Sequence, residues 1–217
     1  MNRRPSSMTH VLILGANGQV AQLVRRRLLA ETDAHLTLYL RRAKRLGQID
    51  PRRESVVEAD VNDYQALFQA MAGQDIVYAN LGGPFEPLAK NIVKAMQQAG
   101  VARLIYLTGL GLYHEVPGEF GRWLEASIGP AVMDDTRRAA KLIEASTLNY
   151  TIIRAAYMTN ADRIDYELTA KGTPFKGTIV SRASIADLIV KTIVKPELHR
   201  YSSLGIDQPG TDGDRPY

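Results

Sequence analysis

The sequence predicts an α/β fold, a doubly wound parallel sheet in a three-layer α/β/α arrangement. Three observations lead there. Short apolar, β-prone runs alternate with segments of helical periodicity at the spacing of β-α-β units. The first run, residues 11–14, stops at Gly15 and passes into an amphipathic segment with Val20, Leu23, Val24 and Leu28 on one face. Polar or glycine-rich residues follow the ends of five runs, where sheets of this kind hold their ligands.

The first helix is expected over residues 18–30, with Arg25, Arg26 and Arg27 facing outward. Gly15 allows a tight turn, because a residue without Cβ tolerates positive φ. Gly18 would let the backbone touch a pyrophosphate, and Ala21 would let the helix pack closely on the strand. A strand before this Gly-x-x-Gly-x-x-Ala spacing and a helix after it turn the amides around Asn17, Gln19 and Val20 toward an anion.

Residues 36–40 form a second strand that ends at Arg41-Arg42. An acid at this strand end would bind a ribose diol, whereas a basic residue accommodates a 2′-phosphate. No carboxylate stands there, which favours NADP(H) over NAD(H); the alternative is two ordinary surface arginines. Residues 55–59 are a third strand. Asp60 and Val61 follow it, placed to meet an adenine edge and ring, and Asp63 is a candidate N-cap for a helix over 63–71. A fourth strand, 75–79, ends in Asn80-Leu81-Gly82-Gly83, where glycines let backbone approach a ribose or simply turn. The next helix carries Ile92, Val93 and Met96 and ends at Gly100. Strand five, 103–107, leads to Thr108 and Tyr113.

Between His114 and Val132 the periodicity lapses through Pro117, Gly118, Gly121, Gly129 and Pro130, while Phe120, Trp123 and Leu124 supply apolar bulk. A stretch of this length reads as a substrate-side flap with one short helix, or as an insertion packed by Trp123. A helix over 133–145 and a strand over 150–154 follow. Ala155 and Tyr157 continue toward the site. A helix is expected over 162–170, a turn at 174–177, a short strand over 178–180, a helix from an N-cap at Ser184 to Lys195, and a last strand over 201–206. Residues 210–214 read as a frayed end, and residues 1–8 as a disordered lead. The chain reads as one domain, 1–217, with small C-terminal elements on the substrate side.

There are no cysteines, which excludes disulfides, cysteine-ligated zinc and thiol nucleophiles. The four histidines show no metal spacing, so no metal site is expected. The net charge of +4 comes with basic clusters that lack the interleaved aromatics of a nucleic-acid surface. No apolar run is long enough to cross a bilayer, and residues 1–7 lack a signal-peptide core. The expectation is a cytoplasmic protein without nucleic-acid or membrane partners, its oligomeric state open.

The chain resembles an atypical short-chain dehydrogenase/reductase of the NAD(P)-binding, NmrA-like kind over nearly its whole length. The resemblance rests on Gly15-Ala16-Asn17-Gly18-Gln19-Val20-Ala21, on Asp60-Val61, on Asn80-Leu81-Gly82-Gly83, and on Arg137-Arg138-Ala139-Ala140 to Tyr150-Thr151-Ile152-Ile153-Arg154. In that family a helix ending in Ser-Gly-Leu precedes Tyr-Thr-Ile-x-Arg-Pro-Gly; here Ser146-Thr147-Leu148 and Ala155-Ala156 stand in the corresponding places. The stretch from Val132-Met133-Asp134-Asp135 is similar to small NADPH-dependent flavin and biliverdin-IXβ reductases. The resemblance implies a Rossmann-like fold, bound NADP(H) or NAD(H), and hydride transfer to a small flavin-like, quinone-like or other conjugated acceptor.

Typical members carry a Tyr-x-x-x-Lys pair whose tyrosine passes a proton to substrate. Alignment through the Tyr-Thr-Ile strand puts Met133 and Arg137 in those places. Methionine transfers no proton, and arginine stays charged, which leaves Arg137 to ribose or phosphate. Thr108 falls at the place of the catalytic serine or threonine and keeps one hydrogen bond to donate. Tyr113 is the nearest alternative phenol, or equally a packed flap residue. Thr108 and Tyr113 are thus the candidate catalytic residues. The resemblance equally admits a non-catalytic NADP(H) sensor that reports to a regulatory protein partner.

Overall fold

The structure, a computed structural model, describes residues 8–217, so the expected lead at 1–8 lies almost wholly outside the described residues. Strand β1 (His10–Leu14) is the centre of the fold. It pairs in parallel with β2 (His35–Leu40) on one side and with β4 (Ile76–Ala79) on the other. Successive side chains of β1 point to opposite faces. Val11 and Ile13 join one apolar cluster, Leu12 and Leu14 the other, and all four are fully buried. Burying each contributes roughly 1.5–3 kcal/mol.

The main sheet has eight strands in the order β3-β2-β1-β4-β5-β6-β10-β8. β3 (Glu54–Glu58), β5 (Arg103–Gly109), β6 (Asn149–Ala155) and β10 (Ser202–Asp207) continue the parallel run, and β8 (Glu167–Ala170) closes one edge antiparallel to β10. A separate parallel pair joins β7 (Tyr157–Thr159) to β9 (Ile179–Ser181). Helices α1 (Gln19–Glu31) and α6 (Arg182–Val194) cover one face. Helices α2 (Tyr64–Ala70), α3 (Phe85–Ala99) and α5 (Pro130–Glu144) cover the other. The expected doubly wound, three-layer architecture is what forms. The chain order reverses between β1 and β4, and the crevice outside that reversal is where such sheets bind ligands.

Local signals account for several boundaries. The Asp63 side chain accepts from the Ala66 amide at the start of α2. Gly100 ends α3 in the left-handed region, at φ 75°. The stretch from His114 to Val132 holds one helix, as expected, and it runs over eleven residues, α4 (Gly118–Ile128). Three expectations are corrected. Residues 162–170 are not helical: extended chain leads into β8, whose conformation is set by pairing with β10. The N-cap of α6 is Ser181, which accepts from the Ser184 amide, while Ser184 lies buried within the helix. Residues 210–214 are tied down, since Thr211 bonds Thr178 and Asp212 bridges to Gly177.

Arg25 also departs from its expected outward position. It is buried against Glu54 of β3 and donates to the carbonyls of Leu46 (3.1 Å) and Gln48 (2.9 Å). At the other end of the sheet Asp207 is fully buried beneath Gly177, and neither carboxylate oxygen has a hydrogen-bond partner among the described residues. Burial pushes its carboxyl up to about 6, and the nearby charges of Glu167 and Asp212 add to the effect.

Candidate functional site

A cleft of about 430 Å³ opens at the carboxyl ends of β1 to β4. Its first wall is the turn from β1 into α1. Gly15 has φ 78°, and a Cβ there would lie 2.2 Å from the Asn80 carbonyl oxygen. At Gly18 a Cβ would fall 1.9 Å from the side-chain Nδ2 of Asn80. Gly15 is therefore required by the close passage of the β4 backbone, whereas at Gly18 the neighbour is the tip of a side chain that can shift. Tyr78 donates from its hydroxyl to Asn80 Oδ1 (2.9 Å), which fixes that end. Gln22 Nε2 donates to the carbonyl of Asn17 (2.9 Å) and to its side-chain oxygen, which holds the turn from the other side.

The start of α1 has no side-chain cap and no acid in its first turn. Helix N-termini carry unsatisfied N–H groups and partial positive charge, so an uncapped one beside a cleft favours an anion. The contrast with α3 is informative. That helix also begins at the cleft, after Gly82, Gly83 and Pro84. Its first amides are already taken, because Asp135 of α5 accepts from Phe85 (2.5 Å) and Glu86 (3.0 Å). Of these two helix ends on the cleft, the α1 end is the open one.

The second wall carries the charge. Arg41, Arg42 and Arg45 all line it, together with Asp60, Val61 and Asn62. Arg45 was not singled out by the sequence as a site residue. A single 3-10 turn, Ala43–Arg45, bends the chain so that it joins the other two. The turn is pinned by Glu58, which accepts from the Ala43 amide (2.8 Å), and by Arg25, which holds the carbonyls that follow. Arg41 lies 3.7 Å from Asp60. Arg42 and Arg45 make no ion pair among the described residues. Asp60 also accepts from the Asn62 amide (2.8 Å) and side chain (2.9 Å), and Val61 is buried. The signal for Arg45 was its spacing, three and four residues beyond the other arginines.

The third side is Asn80, Leu81, Gly82 and Gly83. A Cβ on Gly82 would meet nothing within 4 Å, so the cleft has open room beside it. Thr108 lies beyond this side, at the end of β5, two residues past the pairing of Ala79 with Tyr106. It is buried, and its Oγ1 has no hydrogen-bond partner among the described residues. A buried hydroxyl without a partner is unusual in a native fold and marks a place where a ligand atom or water completes the bond. These features fit a dinucleotide: an open helix end for a diphosphate, arginines for a further phosphate, and space beside backbone glycines.

The other expected residues are placed elsewhere. Gln19 and Val20 stand at the α1 start, but Gln19 lines a separate cavity of about 270 Å³, and the Val20 side chain is core. Arg137 does not reach the cleft. It donates to the Gly111 carbonyl through Nε (3.1 Å) and Nη2 (2.9 Å), and it pairs with Glu125 of α4. Met133 is buried against Gly111. Tyr113 is a packed residue. Its hydroxyl donates to Glu144 (2.7 Å), and Lys171 Nζ sits 4.3 Å from its ring centroid. Burial raises its phenol above the ordinary value and the bond to Glu144 adds to that, which makes it a poor proton source. Ala155 is buried at the end of β6. Tyr157, half exposed, joins an aromatic group with Trp123 (6.4 Å) and Tyr217 (6.1 Å); Phe120 stacks on Trp123, and Arg215 lies over it.

No metal-binding cluster occurs among the described residues, and no described helix is long and apolar enough to cross a membrane.

Comparison with known proteins agrees with this geometry. The family described as NAD(P)H-binding matches residues 15–196. A Rossmann-fold NAD(P)-binding family protein from Shigella flexneri is 44% identical, with 97% of this chain and 98% of that chain covered and a TM-score of 0.84. A wide-type short-chain dehydrogenase/reductase from Veillonella parvula, solved in complex with NADP, is 31% identical, with 95% and 98% covered and a TM-score of 0.89. An anaerobillin reductase from Escherichia coli O157:H7 shares the fold at 18% identity, with 94% and 100% covered and a TM-score of 0.79. No curated protein matches. The chain therefore belongs to the NAD(P)H-binding family, with the Rossmann-like fold of its oxidoreductases.

Proposed function

We propose that the protein is an NADPH-dependent reductase of a small, planar, conjugated acceptor, flavin-like or quinone-like, that works without a Tyr-Lys pair. The observation that carries the reading is the cleft itself, with open α1 amides on one wall and three arginines on the other; beyond its Asn80–Gly83 side lies Thr108, whose hydroxyl has no partner among the described residues. When bound, NADPH supplies the hydride. The α1 amides hold the diphosphate, and Arg41, Arg42 and Arg45 prefer the extra phosphate of NADPH to the bare diol of NADH. Asp60 and Val61 flank the adenine end, and the backbone at Leu81 and Gly82 lies beside the ribose.

On the acceptor side, Thr108 would donate its hydrogen bond, and the half-exposed Tyr157, edge-on to Trp123, offers a π face for stacking. Orientation of the acceptor, rather than a dedicated acid, carries the rate. A conjugated acceptor takes its proton from solvent, so the absence of a poised phenol is no obstacle. This reading places the protein in the cytoplasm, with the cofactor and a small molecule as its partners.

The test is NADPH oxidation against a panel of flavins and quinones. Turnover above the uncatalysed background with at least one acceptor is expected. No turnover with any of them, together with tight NADPH binding, would replace this reading with that of a cofactor sensor.

A further inference from the structure

The arginine that ends the Tyr150-Thr151-Ile152-Ile153-Arg154 strand has no part in the cleft, yet it is one of the most heavily bonded side chains in the protein. Arg154 is completely buried. Its Nε donates to Ser203 Oγ (3.1 Å), and Nη2 donates to the carbonyls of Thr169 (3.1 Å) and Ser203 (3.3 Å). Nη1 pairs with Glu115 at 2.6 Å, and the Glu115 side chain is only 4% exposed.

Glu115 does more than neutralise this charge. Its carboxylate accepts from the amides of Gly111 (3.1 Å) and Tyr113 (3.0 Å), and its carbonyl accepts from Phe175 (2.9 Å). Burial pushes the carboxyl up, but the backbone amides and Arg154 outweigh it and hold the group below the ordinary value, so it stays ionised. The loop from β5 to α4 is thus wrapped around one carboxylate. Gly111 (φ 90°) and His114 (φ 55°) both sit in left-handed conformations within it. The same loop offers the Gly111 carbonyl to Arg137. It starts beside Thr108, which pairs with Arg154 across the β5–β6 ladder, and it delivers the chain to the helix that bears Trp123.

A buried ion pair is a weak way to gain stability, since apolar residues of similar size often do as well. What this pair does specifically is fix the backbone amides of the loop that runs from Thr108 to the helix bearing Trp123. We propose that Arg154 and Glu115 form the positioning pair of the acceptor site: they hold the 109–115 loop in one conformation, so that Thr108 and Trp123 face the acceptor in a fixed arrangement. Neither residue lines the cofactor cleft. The proposal rests on the reductase reading, but its test is partly independent of turnover.

The variants are Glu115→Gln, Arg154→Met and the two combined, each compared with the wild type as the NADPH complex and below its melting temperature. NADPH affinity is expected to change by less than about twofold, because the cleft is built from other residues. Quenching of Trp123 fluorescence by acrylamide is expected to rise in all three, and kcat to fall about tenfold or more with the KM for NADPH unchanged. The double variant has no uncompensated buried charge, so its Tm recovers relative to Arg154→Met, while Trp123 protection and kcat do not. Recovery of all three in the double variant would overturn the proposal and leave a pair that serves stability alone. If the wild type turns over no acceptor, the reductase reading fails, and Trp123 quenching still decides whether the pair fixes the loop. Should the double variant not fold, Glu115→Gln alone carries the same readouts.

Discussion

Replacing the cleft arginines one at a time tests how the protein chooses between its two candidate cofactors. The three are not equivalent. Arg41 already faces Asp60 at 3.7 Å, whereas Arg42 and Arg45 have no carboxylate partner among the described residues. A phosphate drawn to Arg41 competes with that carboxylate; one drawn to the other two does not. The Arg41 side chain is 80% exposed, so screening is close to that of water. Two unit charges about 4 Å apart then interact by about 1–2 kcal/mol, which is about five- to thirtyfold in affinity. Arg42→Ala and Arg45→Ala are each expected to weaken NADPH by this factor, to leave NADH within about twofold, and to combine non-additively, because both would face the same phosphate. Arg41→Ala should cost less, because Arg41 can meet a phosphate only by giving up part of its contact with Asp60. Fluorescence titration with both cofactors at low and high salt measures this, and the NADPH advantage should shrink as salt rises. An NADPH preference that survives removal of all three arginines would refute the assignment.

Three further outcomes follow from the geometry. Gly82→Val puts a side chain into open space without a backbone penalty, so Tm should stay within about 2 °C while NADPH binding weakens about tenfold or more; unaltered binding in calorimetry would mean the space beside Gly82 is not used. Thr108→Val removes a buried hydroxyl that has no partner among the described residues, so stability should hold or rise by about 1 kcal/mol while turnover falls; a destabilised protein with full activity would remove Thr108 from the site. Asp207→Asn should raise stability at neutral pH. The folded carboxyl titrates at about 6, above its unfolded value near 4, so the native state binds the proton more tightly. That contribution is complete below about pH 4 and is lost as pH rises through 6, with at most about 3 kcal/mol at stake. The stability gap between Asp207→Asn and wild type should therefore widen from pH 4 to pH 7 in urea titrations. A gap that stays constant across this range would contradict the buried, unpaired carboxylate.

Much of the fold is legible in the sequence because its signals are local. Val11 to Leu14, the Gly15 turn and the apolar stripe of α1 define a strand, a turn and a helix within 20 residues of one another. Asp63 and Gly100 mark helix ends through their own backbone chemistry. The failures have a common physical origin in contacts from distant residues. Residues 167–170 become an edge strand because β10 offers them a ladder. Arg25 turns inward to meet Glu54, which lies 29 positions away. The site follows the same division. Its glycine turn, strand-end arginines and Asn80 to Gly82 segment come from motifs that local spacing reveals. The partners that draw Arg137 and Tyr113 away from the cleft, Glu125 and Glu144, lie on other elements and leave no mark in the spacing.

The central claim is that a dinucleotide diphosphate rests on the uncapped start of α1. The most direct measurement is an amide-resolved NMR titration with NADPH. The amides of Gln19, Val20 and Ala21 should show the largest shifts and slowed exchange with solvent, while those of Phe85 and Glu86, already bonded to Asp135, should change little. Saturating NADPH and NADH that both leave Gln19 to Ala21 unchanged would contradict the account.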